Sequence, residues 1–470
     1  MSDFQTSAPP RSTHGALMTT YRRPRIQRTD WINPIILVAL GVVGVFFIKS
    51  AQRATPNGTQ WEPQLVWLVL GAAFYITVSA FDYHLWMKNV WLIYLAGIVL
   101  LLLLWSPLGE IRSGARRWLK VGSLTIQPSE FAKIGTLAML CFILAKSELS
   151  TVRGSLEILG KVVAILAVPI LLIFLQPDLG SSLALFPTVF ALLYVSNLSA
   201  RFFVTVFGFF LAVLFVLKMD IKHYENFVQT KMVLQGKIMP EQYNSFLQDN
   251  HLAPIAGLGA EEQKVLQGTM SPKGYEQFLQ ASHLTLVDRV GLYQTHSWLP
   301  LKDYQRDRLA SFLDPKDVDP QGIGVTWNQK QSQIAVGTGG LLGKGYENGT
   351  QARLGYLPSK VATSDFIMAV FLEETGFLGG LAVIGLYAIL LGNTLRIAWT
   401  ARDRFGRLLC VGVAVLFMVH VFVNIGMVQG LMPVKGIPLP LLSYGGSFVL
   451  SCCILMGLVQ SVYRFSRETV

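Results

Sequence analysis

Residues 357–376 read LPSKVATSDFIMAVFLEETG, and a polar stretch gives way to a long apolar run at Asp365. A carboxylate just outside a membrane span is partly removed from water, which raises its proton affinity toward that of a general base. A second interpretation is that Asp365 is the N-cap of the helix that follows. The stretch predicts a helix that enters a membrane, and it leaves both roles of Asp365 open.

The composition is that of a polytopic membrane protein. Of the 470 residues, 52% are hydrophobic and only 14% are charged, whereas soluble domains carry about a quarter charged residues. The net charge of +11 fits the cytoplasmic loops of a membrane protein, so we expect no nucleic-acid partner. All four cysteines lie in or beside apolar runs, which predicts neither a disulfide framework nor a cysteine metal site.

The apolar runs predict an all-helical, polytopic membrane protein with about ten transmembrane helices. The spans lie near residues 31–48, 63–80, 89–106, 129–146, 158–176, 179–197, 201–217, 366–392, 407–428 and 447–463. Arginine and lysine residues then gather on one side, which predicts that both termini are cytoplasmic. A large extracytoplasmic loop is predicted between spans seven and eight.

The chain divides into five predicted parts. They are a disordered cytoplasmic tail (1–29), spans one to seven (30–217), an inserted extracytoplasmic helical module (218–300), a second outer loop (301–364) and spans eight to ten (365–465). The module holds an internal repeat, VLQGKIMPEQYNSFLQDNHL at 233–252 and VLQGTMSPKGYEQFLQASHL at 265–284. Such a short unit cannot bury its apolar face alone, so we expect it to pack on the loop or to dock a partner.

A cluster of cations marks the first outer loop, residues 107–128. It consists of Arg112, Arg116, Arg117 and Lys120 around Trp118. Short outer loops are normally poor in lysine and arginine. Two interpretations remain: side chains that reach lipid phosphates beside an aromatic belt, or a cradle for an anionic, membrane-held substrate such as a lipid pyrophosphate.

Three further charged residues border this outer side. Glu130 and Lys133 lie three residues apart on one helical face, which predicts an ion pair at the membrane edge. Asp178 lies between two spans with almost no loop. It is either an aspartate that favours a helix start or a second acid facing the outer cavity.

The last outer stretches contain glycine, proline and buried charge. Lys344 follows a glycine-rich run that lacks the Walker pattern, so the glycines indicate tight turns. Glu373 and Glu374 fall within span eight and are expected to face the bundle interior or water. Residues 424–447, which include Lys435 and Ser443, are too rich in proline and glycine for a regular helix and indicate a stretch that lines a cavity.

These motifs together resemble the SEDS family (shape, elongation, division, sporulation) over about residues 31–217 and 302–465. The motifs are Arg117-Trp118-Leu119, Gln127-Pro128-Ser129-Glu130, Gln176-Pro177-Asp178-Leu179-Gly180, Asp365-Phe366, Pro438-Leu439-Pro440 and Ser443-Tyr444-Gly445-Gly446-Ser447. Pro438-Leu439-Pro440 is more similar to the RodA elongation branch than to the FtsW division branch. The chain departs from the family pattern at Ser359 and at Thr363-Ser364, and Pro358 lies about two residues further from Asp365.

The resemblance implies a peptidoglycan glycosyltransferase that polymerises lipid II at the outer face of a bacterial cytoplasmic membrane, beside a class B penicillin-binding protein. Asp365 aligns with the family's essential aspartate, and Trp118 and Asp178 fall on matching loop positions. The expected substrate-binding residues are Arg112, Arg116, Arg117, Trp118, Lys120, Glu130, Lys133, Asp178, Lys344, Lys435 and Ser443. Pyrophosphate often brings Mg²⁺ or Mn²⁺, so the resemblance allows for a divalent cation, although the sequence shows no dedicated metal site.

Three different functions stay open at this point. The first is a flippase for lipid-linked precursors, which would also suit ten spans, broken helices and the acids Glu373 and Glu374. A flippase needs charged groups that are accessible from both faces, whereas the predicted charges lie on one side. The second is a non-catalytic membrane scaffold, which the repeat module would suit. The third is a division polymerase of the FtsW type.

Overall fold

The computed structural model describes residues 29–55, 59–112, 115–122, 124–147, 152–176, 178–198, 200–234, 239–249, 260–269, 277, 303–319 and 322–466. The predicted tail lies outside this range except for its last residue. Most of the second repeat, residues 265–284, also lies outside it.

Helices dominate the described residues. The first group comprises α1 (Ile32–Ala51), α2 (Trp61–Ala80), α3 (Tyr83–Lys88), α4 (Val90–Leu102), α5 (Pro128–Lys146), α6 (Val152–Leu175), α7 (Leu179–Leu183), α8 (Leu185–Val195) and α9 (Ala200–Leu234). The second comprises α10 (Pro240–Asp249), α11 (Ala260–Leu266), α12 (Asp303–Leu313), α13 (Pro315–Val318), α14 (Trp327–Gly339), α15 (Thr350–Arg353), α16 (Ser359–Thr363), α17 (Ile367–Thr400), α18 (Arg404–Val428) and α19 (Gly446–Phe465).

Eight of the described helices are long and apolar enough to cross a membrane: α1, α2, α5, α6, α9, α17, α18 and α19. Two shorter apolar helices, Val90–Trp105 and Leu185–Val195, coincide with predicted spans three and six. The multi-pass helical fold is therefore confirmed. The count of ten spans and the position of the large loop stay predictions.

The centre of the bundle is formed by α5, α18 and α19. Almost every residue of α19 is buried, and α2 packs along it. α5 is buried over most of its length, with α4 on one side and α18 on the other. Large apolar side chains on α9, such as Val204 and Phe209, instead remain exposed, as expected of a surface that faces lipid. The buried core thus holds fixed the helix ends that carry the candidate site.

The first outer loop folds into a small antiparallel sheet, which its sequence did not predict. Its strands are β1 (Gly109–Arg112), β2 (Ala115–Val121) and β3 (Leu124–Ile126), in the order β1-β2-β3. Between the pairs Glu110 with Trp118 and Ile111 with Arg116 the register shifts, and Arg117 is the extra residue. A β-bulge of this kind re-aims one side chain and breaks the alternation by which a strand is predicted from sequence.

The predicted boundary at residue 217 is not a break in the helix, because α9 continues without interruption to Leu234. A 35-residue helix is about 52 Å long, whereas the hydrocarbon core of a bilayer is about 30 Å thick. The first copy of the repeat forms α10, which begins at Pro240 and packs on this extension. There Tyr243 Oη accepts from Thr230 Oγ1 (2.9 Å) and donates to Asn226 Oδ1 (3.0 Å).

An ion pair and a hydrogen bond fix α12 on the same extension of α9. Arg306 Nε donates to Asp220 Oδ2 at 3.1 Å, and both side chains are buried. Tyr224 Oη donates to Asp307 Oδ1 at 2.6 Å on the neighbouring turn. The extension therefore sets the position of α12 and of the side chains that α12 carries.

Candidate active site

Asp365 lies immediately before Phe366, the N-cap of α17. No side chain caps this helix end, so the interpretation of Asp365 as an N-cap is not supported. The Asp365 carboxylate is partly buried, at the point where α16, the start of α17 and the segment 429–445 meet. Its main chain is held in place, and its carboxylate is left available for chemistry.

Asn424 provides the first anchor for the main chain at Asp365. This fully buried side chain of α18 donates from Nδ2 to the Asp365 carbonyl oxygen at 2.9 Å and to the Ile437 carbonyl oxygen at 2.8 Å. A single amide thus ties α18 to the residue that precedes α17 and to the segment 429–445. Because both acceptors are main-chain groups, the position of Asp365 is fixed without use of its carboxylate.

Ser443 provides a second anchor. Its Oγ donates to the Ser364 carbonyl oxygen at 2.6 Å and accepts from the Leu439 main-chain N–H at 2.9 Å. The next residue, Tyr444, donates its N–H to the Thr363 carbonyl oxygen at 2.9 Å. We predicted Ser443 as a substrate-binding residue, but the structure buries it completely among main-chain groups, where it positions the residues before Asp365.

The segment that carries Asp178 packs close to Asp365, and two glycines, Gly180 and Gly436, lie at this contact. A Cβ atom added to Gly180 would lie 3.1 Å from the Gly436 carbonyl oxygen, and one added to Gly436 would lie 3.6 Å from Asp365 Oδ2. The absence of a side chain at Gly180 makes this close approach easier, since a Cβ there would be tighter than most real contacts. The joint between α6 and α7, which carries Asp178, is therefore packed against the segment that covers Asp365.

Asp178 is also held by the start of α5. Its Oδ2 accepts from Gln127 Nε2 at 3.0 Å and lies 3.4 Å from Ser129 Oγ. The carboxylate is buried. Both interpretations of Asp178 apply in part. The residue directly precedes α7, and its charge also acts on Asp365, the other acid of the site.

Among the cations of the first outer loop whose side chains the structure describes, Arg117 contacts the site. It is the bulged residue of β2, and its Nε donates to the Gln176 carbonyl oxygen at 3.1 Å. Arg116 and Lys120 are exposed on the same strand, and Trp118 is partly buried opposite Glu110. The fourth predicted cation, Arg112, lies at the end of β1, where its main chain pairs with Ala115.

Arg308 was missed by the sequence analysis as a site residue. It is exposed on α12, and its charge acts on Asp365 together with those of Arg117 and Asp178. The pKa of Asp365 is raised to about 6: burial is the largest cause, the Asp178 carboxylate adds to the rise, and the Arg308 and Arg117 guanidinium groups oppose it. The sum is a carboxylate that titrates near neutral pH, as a general base requires.

Lys435 lies on the same side of the site. It is buried in the segment 429–445, and this burial, together with the nearby Arg308 guanidinium, lowers the pKa of Lys435 to about 8. A lysine with this pKa is mostly charged at pH 7. Two cations, Arg308 and Lys435, therefore stand near each other, and Arg308 also acts on Asp365, as expected of a site that receives a multiply charged anion.

Glu130 and Lys133 form the predicted ion pair, at 2.9 Å, but inside the bundle. Both are almost fully buried, and Ser451 Oγ of α19 donates to Glu130 Oε2 at 3.2 Å. Lys133 also lies 5.8 Å from the Phe448 ring centroid. Their contacts join α5 to α19, so we interpret the pair as a structural link and not as part of the substrate surface.

Lys344 lies in a second polar cluster, at the outer end of α17. Its Nζ contacts Glu373 Oε1 at 2.6 Å and donates to Thr338 Oγ1 at 2.8 Å and Thr350 Oγ1 at 2.9 Å. Glu373 is fully buried, as predicted, and also accepts from the Thr350 main-chain N–H. Lys344 is thus engaged by the protein and holds the segment before α15 against α17.

Glu374 closes the same cluster on its other side. This buried carboxylate accepts from Ser50 Oγ at 2.5 Å and from the Glu347 main-chain N–H at 3.1 Å. α17 bends two residues later at Gly376, whose φ of +68° falls in the left-handed region. The prediction that both acids of span eight face the interior is confirmed.

One group of acids in the described part of the chain has the spacing of a metal site. Carboxylate oxygens of Glu225, Asp314 and Asp317 all lie within 4.8 Å of one another. Lys222 Nζ is 2.8 Å from Glu225 and 2.7 Å from Asp314. The lysine provides the counter-charge at this position, and we assign the group to the joint between α9 and α12.

Comparison with known proteins gives the family. The family model described as cell cycle protein (FtsW, RodA, SpoVE) matches residues 27–236 and 274–468. The chain belongs to the FtsW/RodA/SpoVE family. Within this family it is 34% identical over 440 residues to peptidoglycan glycosyltransferase RodA of Treponema pallidum, covering 92% of this chain and 97% of that protein. It is 29% identical over 436 residues to peptidoglycan glycosyltransferase MrdB of Escherichia coli, with coverages of 92% and 93%.

Solved structures of the FtsW/RodA/SpoVE fold agree with the architecture. A structure from work on the coordination of polymerization and crosslinking by a peptidoglycan synthase complex aligns with a TM-score of 0.63 at 24% identity, covering 94% of this chain and 99% of that one. Rod shape determining protein RodA of Thermus thermophilus aligns with a TM-score of 0.56 at 22% identity, with coverages of 95% and 100%. At these identities the likeness establishes the fold alone.

Proposed function

We propose that this chain is a peptidoglycan glycosyltransferase that polymerises lipid II into glycan strands during cell elongation. Two relatives that align over nearly their whole length are named peptidoglycan glycosyltransferase. The observation that carries the proposal is the Asp365 carboxylate, which lies outside the spans with a pKa of about 6 and faces Asp178, Arg117 and Arg308. Such a group can accept a proton at neutral pH next to cations that can receive a phosphate.

In the proposed reaction, the 4-hydroxyl of an acceptor sugar attacks the anomeric carbon of a sugar on undecaprenyl pyrophosphate. The new carbon–oxygen bond forms as the bond to pyrophosphate breaks, and the leaving group departs with the electron pair. Asp365 accepts the proton that the hydroxyl loses. Because its pKa is about 6, most of the carboxylate is ionised at pH 7 and its basicity remains useful.

Cations would stabilise the departing pyrophosphate. Arg117 and Arg308 act on Asp365, and the exposed Arg116 and Lys120 extend the positive surface along β2. Arginine forks match the geometry of phosphate oxygens and bind them bidentately. Trp118, on the same strand, would pack on a sugar or on the lipid.

A divalent cation, Mg²⁺ or Mn²⁺, would bind at this site together with the pyrophosphate oxygens of the substrate. Such ions are commonly held by one or two carboxylates together with phosphate oxygens, and they would neutralise charge on the pyrophosphate. Asp178 would supply a ligand atom, because it is the acid beside Asp365 and the hydrogen bonds from Gln127 and Ser129 both go to one of its two carboxylate oxygens, Oδ2. Glu130 does not fit, because Lys133 and Ser451 already engage its buried carboxylate.

The proposal includes a class B penicillin-binding protein as the cross-linking partner and the cytoplasmic membrane as the location, with the site on the outer face. One structural relative comes from a peptidoglycan synthase complex in which polymerization and crosslinking are coordinated, and this supports a cross-linking partner. A flippase is the less suitable alternative, because the described acids and cations around Asp365 gather at one end of the bundle. A division polymerase would use the same site.

The test is polymerisation of lipid II by the purified protein with its transpeptidase partner. We expect Asp365→Asn to reduce polymer formation by at least about 100-fold, the lower range of general-base effects. Glu62→Gln, which neutralises an exposed acid at the start of α2, is the matched control and should leave the rate unchanged. Polymer formed at the wild-type rate by Asp365→Asn would remove the base assignment. A wild-type protein that moves lipid II across vesicles without polymerising it would favour the flippase.

A further inference from the structure

A cleft of about 640 Å³ opens between α4, α5 and α6. It lies at the end of the bundle opposite Asp365. α5 begins at Pro128, beside Asp178, and its last residue, Lys146, lines the cleft. With 19 residues, α5 separates the two ends by about 28 Å. The cleft therefore takes no part in the proposed chemistry, and its volume falls within the range of small-molecule sites.

The cleft has an apolar wall and a charged mouth. The wall includes Trp91 from α4, Phe142 from α5 and Ala164 from α6. The mouth carries Lys146 and Lys161 with one acid, Glu157. Among the charged lining residues that the structure describes, two are lysines and one is an acid, and the apolar wall includes Trp91, whose side chain is 54% exposed. This is the pattern of an amphipathic ligand with an anionic head and an apolar tail.

Both lysines can contact a new anion without losing a strong partner. Lys146 is exposed, its ammonium lies 4.2 Å from the Phe142 ring centroid, and among the described residues it has no carboxylate partner. Lys161 pairs with Glu157 at 2.7 Å, but the two side chains are 55% and 64% exposed. Exposed pairs of this kind add little stability, so a phosphate can replace Glu157 at low cost.

We propose that this cleft binds one anionic diacyl phospholipid, of the phosphatidylglycerol type. The phosphodiester would contact Lys146 and Lys161 at the mouth, and an acyl chain would lie along Phe142 and Ala164. Two exposed lysines beside one described acid favour an anionic head group over a zwitterionic one. The site would make α5, the helix that begins beside Asp178, sensitive to the lipid composition of the membrane.

The test is native mass spectrometry of the full chain in detergent, titrated with phosphatidylglycerol or with phosphatidylethanolamine of the same acyl chains. Wild-type protein should retain phosphatidylglycerol preferentially. Lys146→Gln and Lys161→Gln should each weaken this binding about fivefold, as expected for one lysine near an anionic lipid. Lys49→Gln is the matched control, because Lys49 also lies in the last turn of a span and 5.9 Å from an aromatic ring, that of Trp61, yet outside the cleft.

A second variant tests the cavity independently of charge. Ala164→Trp would fill the apolar wall and leave both lysines in place, and it should abolish the preference for phosphatidylglycerol while the melting temperature stays within a few degrees of wild type. Equal retention of the two lipids by wild-type protein would overturn the proposal. So would unchanged phosphatidylglycerol binding in Lys146→Gln or in Ala164→Trp.

Discussion

The two sides of the candidate site are built in different ways. Asp365 stands on a frame of hydrogen bonds in which the fully buried side chains of Asn424, on α18, and Ser443, in the segment 429–445, donate to main-chain carbonyl oxygens. Arg308 stands on α12, which is attached to the extension of α9 by side-chain pairs such as Arg306 with Asp220. The acid is thus placed by the core of the bundle. The cation is placed by an outer arm, which consists of α12 and the part of α9 beyond residue 217.

This difference separates two tasks. A base must be held within a fraction of an ångström of the proton it accepts, and buried main-chain hydrogen bonds supply that constraint. A cation that acts on a pyrophosphate and on the pKa of Asp365 can act over a longer distance, because Coulomb interactions fall slowly with separation. Substitutions in the frame should therefore nearly abolish polymerisation, whereas substitutions in the arm should change KM or the pH dependence of the rate.

The largest effect is expected for Asn424→Leu, which breaks the frame. The substitution leaves the carbonyl oxygens of Asp365 and Ile437 buried without this donor, at a cost of about 1–3 kcal/mol each. Displacement of Asp365 by about 1 Å should reduce polymerisation by about 100-fold. The measurements are the rate of lipid II polymerisation and the thermal unfolding temperature.

Asn393→Leu separates lost stability from lost alignment. Asn393 is also buried, and its Nδ2 donates to Asp30 Oδ2 at 2.8 Å and Asn33 Oδ1 at 2.9 Å, away from the site. We expect a similar loss of stability with polymerisation reduced by less than about threefold. If Asn424→Leu unfolded at a lower temperature but kept the wild-type rate, the frame would not determine catalysis.

A smaller effect is expected for Asp220→Asn, which loosens the arm. Removal of one partner from a buried ion pair leaves the other charge uncompensated and costs about 3–5 kcal/mol locally. α12 would shift with Arg308, and we expect KM for lipid II to rise about tenfold with kcat changed less. Adding Arg306→Gln should recover part of the loss because no unpaired charge remains. An equal loss in the single and double variants would contradict this explanation.

The frame and the arm were predictable from sequence to different degrees. Apolar runs predicted the spans, and the spacing of Glu130 and Lys133 predicted their ion pair, because both signals are local. The gathering of Asp365, Asp178 and Arg117 at one end followed from threading the spans. The roles of Ser443 and Lys344 did not follow, since a polar residue in an outer segment has the same sequence signature whether it meets substrate or the protein's own polar groups.

The role of Arg308 could not be predicted from the sequence. It lies in a run of mixed charges, Gln305-Arg306-Asp307-Arg308, with no apolar pattern that would predict which charge faces the membrane. Arg306 and Asp307 turn toward α9, and this leaves Arg308 for the site. That choice depends on the position of the α9 extension, which no local pattern predicts. The bulge that directs Arg117 toward Gln176 is a second case.

The smallest effect, and the sharpest test of the comparison, is a pair of opposite shifts in pH dependence. The rate should rise with pH as Asp365 ionises near pH 6 and then level off. Arg308→Gln removes a cation that lowers the pKa of Asp365, so the rising limb should move to higher pH, by up to about one unit. Asp178→Asn removes an anion that raises this pKa, so the limb should move to lower pH. Each shift is read from the pH dependence of kcat/KM, which reports the ionisation of groups in the free enzyme. Movement of both limbs in the same direction would mean that Asp365 is not the titrating base, and no movement in Arg308→Gln would mean that the arm contributes to binding alone.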